Sequence, residues 1–188
     1  MNKGKKITVT RRAFITNLSI TGTVLAFTLY SCKNFFRSKK TSELVYGDKE
    51  KSILNAVLLH LFPSEPEGPG ASELKAGNYL SWIINDPNIA LYKKELLISG
   101  IHWAEETAIE RFQQSFVALS KDQKEETLRD LENYSNGRRW LSSVLNYILE
   151  ALLGDPIYGS NTNESGWKWL GHIPGYPRPR EEQKYLAQ

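Results

Sequence analysis

At 188 residues the chain has room for one domain with extra segments at its ends. Hydrophobic residues make up 40% and charged residues 24%, an ordinary globular balance that excludes an intrinsically disordered chain. The formal charge of +3 is not a nucleic-acid signature, because residues 1–40 hold nine bases and no acid, which leaves fifteen bases against twenty-one acids beyond them. A body of that sign repels phosphate, so no nucleic-acid partner is expected.

Residues 1–31 read as an export signal, with a basic start, a weakly apolar run from Ala13 to Tyr30 and the small Ser31 before Cys32. Thr16, Asn17, Ser19, Thr21, Gly22 and Thr23 interrupt the run, which argues against a permanent membrane span. Arg11-Arg12 followed by Ala13-Phe14 resembles the twin-arginine export motif, a receptor-read address typical of bacterial proteins that cross the membrane already folded. Leu29-Tyr30-Ser31-Cys32 resembles a lipoprotein box, which makes Cys32, the sole cysteine, the expected lipidation site. Acylated Cys32 beside Lys33, Arg37, Lys39 and Lys40 would supply the two signals that stable anchoring needs, within a linker spanning 32–47. A plain signal or uncleaved anchor, with Cys32 incidental, is the alternative. The expected location is therefore the periplasmic side of the cell envelope.

The body, residues 48–179, reads as all-α with about five helices, and residues 180–188 as a tail. Asp48 is placed to cap a helix whose apolar residues (Ile53, Leu54, Val57, Leu58, Leu61 and Phe62) fall at helical spacing, with Pro63 as its stop. PSEPEGPGA is a proline- and glycine-rich loop, and Ser72 opens a second, less regular helical stretch toward Ile84. Asp86-Pro87 predicts a third helix start, and the pattern then stays helical through Ile101, Ala104, Ala108, Phe112 and Phe116, with Gly100 as a possible break. Ser120 with Gln123 predicts a capping box for the fourth helix. Gly137 precedes the fifth, RRWLSSVLNYILEALL, which Gly154 is expected to close in a left-handed cap.

The sequence carries little chemistry. His60, His102 and His172 have no ligand-spaced neighbours, and His60 reads as a surface or hydrogen-bonded histidine. There is no C-x-x-C-H for haem, no G-x-G-x-x-G and no P-loop. Glu105, Glu106 and Glu110 share a helix but lack the Glu-x-x-His of a di-metal bundle, so they read as a solvated face. The oxygen-rich run from Asp155 to Glu164 departs from the calcium-loop pattern. No catalytic, metal or cofactor-binding residue is expected.

What stands out is the end of the domain. Residues 154–179 hold five of thirteen glycines, four of eight prolines and two of five tryptophans, with no obvious helix or strand of their own. A segment without regular structure must satisfy its backbone elsewhere, on its own domain or on a partner. Glycine allows close backbone approach, while Tyr158, Trp167, Trp169 and Tyr176 bring large amphipathic rings. Composition leaves both destinations open. If the chain is extended there, the spacing of two puts Trp167 inward and Trp169 at the rim.

Asp155-Pro156-x-Tyr158-Gly159-x-Asn161, Gly166-Trp167-Lys168, Gly171 and Pro174-Gly175 resemble the C-terminal motif of the gluconate 2-dehydrogenase subunit 3 family. Leu58 to Leu80 resembles the family's helix, proline turn, Pro-Gly-Ala and second helix, and WLSSVLNYILEALLGDP resembles the helix that leads into the motif. The likeness spans most of residues 48–177. Ser160 replaces the usual second glycine, and His172-Ile173 alters the spacing before Pro174-Gly175.

The resemblance implies a non-catalytic small subunit of a membrane-associated dehydrogenase acting on CH–OH groups. It implies FAD in a large glucose–methanol–choline-type partner, haem c in a possible cytochrome subunit, and no cofactor on this chain. It also implies that Asp155, Tyr158, Gly159, Asn161, Gly166, Trp167, Trp169, Gly171 and Pro174 form a partner interface or a structural clamp. The alternative is a stand-alone cell-envelope binding module that uses the aromatic segment. An isolated chain binding ligand without a flavoprotein would favour that one.

Overall fold

The computed structural model describes residues 45–180. The expected signal with Arg11, Arg12, Phe14 and Cys32, most of the linker and the final tail lie outside the described residues. The described part is all-α, as the periodicity predicts. Six helices follow in order: α1 (Asp48–Leu61), α2 (Ala76–Asn85), α3 (Leu91–Phe112), α4 (Lys121–Glu132), α5 (Ser135–Leu153) and α6 (Ser165–Leu170). The sixth was not expected, because it lies inside the segment read as irregular.

The apolar periodicity becomes a core without change of register. Ile53, Leu54, Val57 and Leu58 of α1 are buried together with Leu97, Ile101, Ala104 and Ala108 of α3 and Trp140, Val144, Ile148, Ala151 and Leu152 of α5. Each large aliphatic side chain removed from water contributes about 1.5–3 kcal/mol. Gly100 does not break α3, which runs unbroken to Phe112. Its missing side chain is where the Trp140 ring sits, so any Cβ there would collide with the indole.

The ends of the helices depart most from expectation. Gly47, not Asp48, is the N-cap of α1, and Glu50 accepts from its N–H at 3.0 Å. Asp86 closes α2 instead of opening α3; its carboxylate accepts from Asn88 N–H at 2.9 Å in a local turn, and α3 begins at Leu91. Gln113 ends α3 in the left-handed region, which moves Phe116 into a buried 3₁₀ turn. Gly137 lies inside α5, and Gly154 caps it in an extended conformation with φ −66° and ψ 156° instead of a left-handed one. The Ser120–Gln123 capping box forms as predicted.

Two polar features correct or refine the sequence reading. Glu105 is not on a solvated face: it is buried, accepts from Phe116 N–H and Ser115 Oγ–H at 2.9 Å each, and meets Lys49 Nζ at 3.2 Å. It thereby pins the α3–α4 connection. His60 Nε2 lies 2.8 Å from Glu125 Oε2, a contact between α1 and α4. Among the described residues no helix is long and apolar enough to cross a membrane.

Candidate functional site

Residues 154–178 fold back as a clasp over the end of α5, and local sequence explains the path. Asp155 caps a 3₁₀ turn over Pro156–Tyr158, its Oδ1 accepting from Ile157 N–H at 3.0 Å. Gly159 then takes φ +86°, a value that other residues rarely adopt. Asn161, Asn163 and Glu164 are also left-handed, with φ 49°, 57° and 59°. Three such non-glycine residues in four positions store strain that the surroundings must hold.

Asn161 does most of that holding. It is fully buried, its Nδ2 donates to the Gly154 carbonyl at 2.9 Å, and its Oδ1 accepts from Gly166 N–H at 2.8 Å. Its own N–H donates to the Leu74 carbonyl at 2.9 Å, which ties the clasp to the turn before α2. Gly166 has to be glycine here, because a Cβ would strike the Leu152 carbonyl. That close approach lets α6 lie across the end of α5.

Trp167 is 4% exposed, and its Nε1–H donates to the Leu153 carbonyl at 2.7 Å, satisfying one of the orphan acceptors at the end of α5. Burying the ring contributes about 4 kcal/mol at the usual area coefficient. Over its outer face lies the Arg178 guanidinium, 4.9 Å from the ring centre. Arg178 Nε donates to Asp155 Oδ2 at 2.9 Å, and its NH1 donates to Glu164 Oε1 at 2.7 Å. The far end of the segment is thus locked to its beginning. Burial acts to raise the Asp155 carboxyl, but hydrogen bonds from Arg178 and Ile157 N–H outweigh it and hold the group below its ordinary value.

The clasp also reaches sideways. Tyr158 packs against Trp82 of α2 with ring centres 5.6 Å apart, and Trp82 in turn meets Tyr79 at 5.7 Å. Tyr79 Oη–H donates to Glu150 Oε2 at 2.9 Å; burial first, then that carboxylate, push its phenol up. Trp169 lies on Gly68 in the proline-glycine loop, yet remains 45% exposed. Trp167 is therefore the inward ring and Trp169 the rim ring, set by a six-residue helix and not by an extended chain.

Of the residues singled out from sequence, Asp155, Asn161, Gly166 and Trp167 converge on the end of α5. Tyr158 and Trp169 extend the contact to α2 and to the 63–70 loop. Gly171 ends α6 in the left-handed region, and Pro174 is half-buried in the outward turn that follows. Sequence reasoning missed Arg178, whose only signal was a cation between two prolines at the end of the motif. It also missed the receptors Leu74 and Gly68, which have no distinguishing chemistry.

The arrangement directs its polar groups to backbone and to one another. Among the described residues no group of three or more histidine, cysteine or acidic side chains could hold a metal ion. Ser160, at the position where the resemblance expects glycine, is buried with an unpartnered hydroxyl.

The model of the family Gluconate 2-dehydrogenase subunit 3 matches residues 48–175, from the first helix to the outward turn. The chain belongs to that family. No curated protein and no solved structure matches.

Proposed function

We propose that this chain is the non-catalytic small subunit of a periplasm-facing dehydrogenase that oxidises alcohols or sugar acids. The oxidation takes place on FAD held by a large glucose–methanol–choline-type subunit, and a c-type cytochrome receives the electrons. The small subunit stabilises the large one and accompanies it through the twin-arginine route, with Cys32 as lipid anchor. One observation carries the reading: the family match covers the whole helical domain together with its terminal motif. The geometry supports it, since the motif spends its carboxylates on its own Arg178, its amide on its own backbone and its indole on the end of α5, which braces it as one body for assembly.

Native purification through a tag on this chain tests the reading. The expected result is co-elution with a larger chain that carries flavin fluorescence and oxidises a polyol or sugar acid. A flavin-free monomer, or turnover by this chain alone, would overturn it.

A further inference from the structure

The clasp does more than cover α5: it raises an apolar surface beside it. Leu149 and Leu153 stand one turn apart on the outer side of α5 and are both about half exposed. The Leu153 carbonyl holds the Trp167 indole, and Leu170, also half exposed, follows Trp167 by three residues on α6. Trp169 rests on the 63–70 loop. Ile173 and Tyr176 then top the turn between Gly171 and Arg178, 84% and 81% exposed.

Such exposure is costly in a solitary protein, yet the turn is braced at both ends. His172 N–H donates to the Trp167 carbonyl at 2.8 Å, and Arg178 is fixed by Asp155 and Glu164. Two large apolar side chains are thus held in water by a rigid base. All six side chains are 45% exposed or more, and large apolar groups gathered on a braced segment mark an interaction site.

Rigid anchors lower the entropy cost of docking, because little is left to order on contact. The neighbouring loop adds sign: Glu65 and Glu67 are exposed, and neither forms an ion pair among the described residues. An apolar centre with an acidic edge suits a protein surface that offers an apolar pocket rimmed by lysine or arginine. It suits an anionic membrane poorly, since membrane-lying surfaces pair apolar residues with bases.

We infer that Leu149, Leu153, Trp169, Leu170, Ile173 and Tyr176 form the face that docks the flavin-bearing subunit, with Ile173 and Tyr176 entering an apolar pocket rimmed by basic residues. This rests on the proposed function. It assigns the clasp two separable jobs: Asn161, Trp167 and Arg178 build the base, and the turn and the α5 leucines present the contact.

The test uses the full-length chain expressed with its complex and purified through a tag on this chain. Leu149→Glu and Ile173→Asp, separately and combined, place charge in the middle of the face without touching the core. Recovered flavin chain should fall by about tenfold or more in the double variant, the scale expected when charge enters the centre of an interface. Tyr92→Asp, on the exposed side of α3, should leave recovery unchanged. The thermal midpoint of each purified variant should stay near that of the wild type, which separates lost docking from lost folding. Ile173→Asp alone keeps the test valid if the α5 variant folds poorly.

Undiminished recovery of the flavin chain with the double variant overturns the docking face while the subunit reading stands. Loss of binding to phosphatidylcholine vesicles with the complex intact also overturns it, assigning the face to lipid. Wild-type chain recovered without any flavin chain removes the subunit reading and, with it, the occupant.

Discussion

Asn161 is the residue on which the clasp can be tested most sharply. Replacing it with alanine removes the acceptor from the buried Gly166 N–H and the donor from the part-buried Gly154 carbonyl. It also leaves a β-carbon in the left-handed region without the amide that made the conformation tolerable. An unsatisfied buried amide costs about 1–3 kcal/mol, a part-buried carbonyl costs less, and left-handed alanine adds about 1 kcal/mol. Together they predict a loss of about 3–5 kcal/mol, a large share of the 5–15 kcal/mol typical of a domain. Guanidinium unfolding of the purified chain followed by circular dichroism measures it, and the thermal midpoint should fall by roughly 10 °C or more. Two further variants divide the effect. Asn161→Gly should recover about 1 kcal/mol relative to alanine, because glycine accepts the backbone angle. Asn161→Asp keeps the acceptor for Gly166 but turns the donor into a second acceptor facing the Gly154 carbonyl at a buried position. At neutral pH it should therefore be at least as destabilising as alanine. An alanine variant within about 0.5 kcal/mol of wild type refutes the assignment, since that is the range of inconsequential surface changes.

Legibility in the sequence divides along a physical line. The helices and their buried faces were readable because a period of 3.6 is written in consecutive residues: Ile53, Leu54, Val57 and Leu58 had to share a side. The Ser120 capping box was readable for the same reason, its two members being three residues apart. Helix ends set by distant contacts were not. Asp86 looks like a cap before Pro87, but its carboxylate serves a turn that closes α2. Gly100 looks like a break until Trp140, forty residues later, is placed against it. Glu105 looks solvated because its partners, Ser115 and Phe116, lie past a chain reversal that no local pattern announces. In the clasp, the spacing between the tryptophans divided an inward from a rim ring, although the path is a short helix held by the Leu153 carbonyl and, through Asn161, by the Leu74 carbonyl. Those acceptors belong to every residue alike, so nothing in their side chains marks them.

Two smaller perturbations probe the same cluster. Ser160→Ala should stabilise the chain by about 1 kcal/mol in the same unfolding assay, because it removes a buried hydroxyl that has no partner while keeping the Cβ; destabilisation would show that the hydroxyl is satisfied in solution. The Asp155–Arg178 lock should appear in the acid limb of stability. Since the folded chain holds the Asp155 carboxyl below its ordinary 3.8, the carboxylate is favoured by folding, and its contribution is complete above that value. As pH falls through the lower, folded value the contribution disappears, because protonated aspartic acid no longer pairs with the guanidinium. Asp155→Asn should therefore lower the thermal midpoint at neutral pH and reduce its decline below pH 3.8, so that the variant and wild-type curves converge in acid. Parallel curves across that window would mean that Arg178 does not fasten the end of the clasp to its beginning, and the turn bearing Ile173 and Tyr176 would lose the brace that holds it toward solvent.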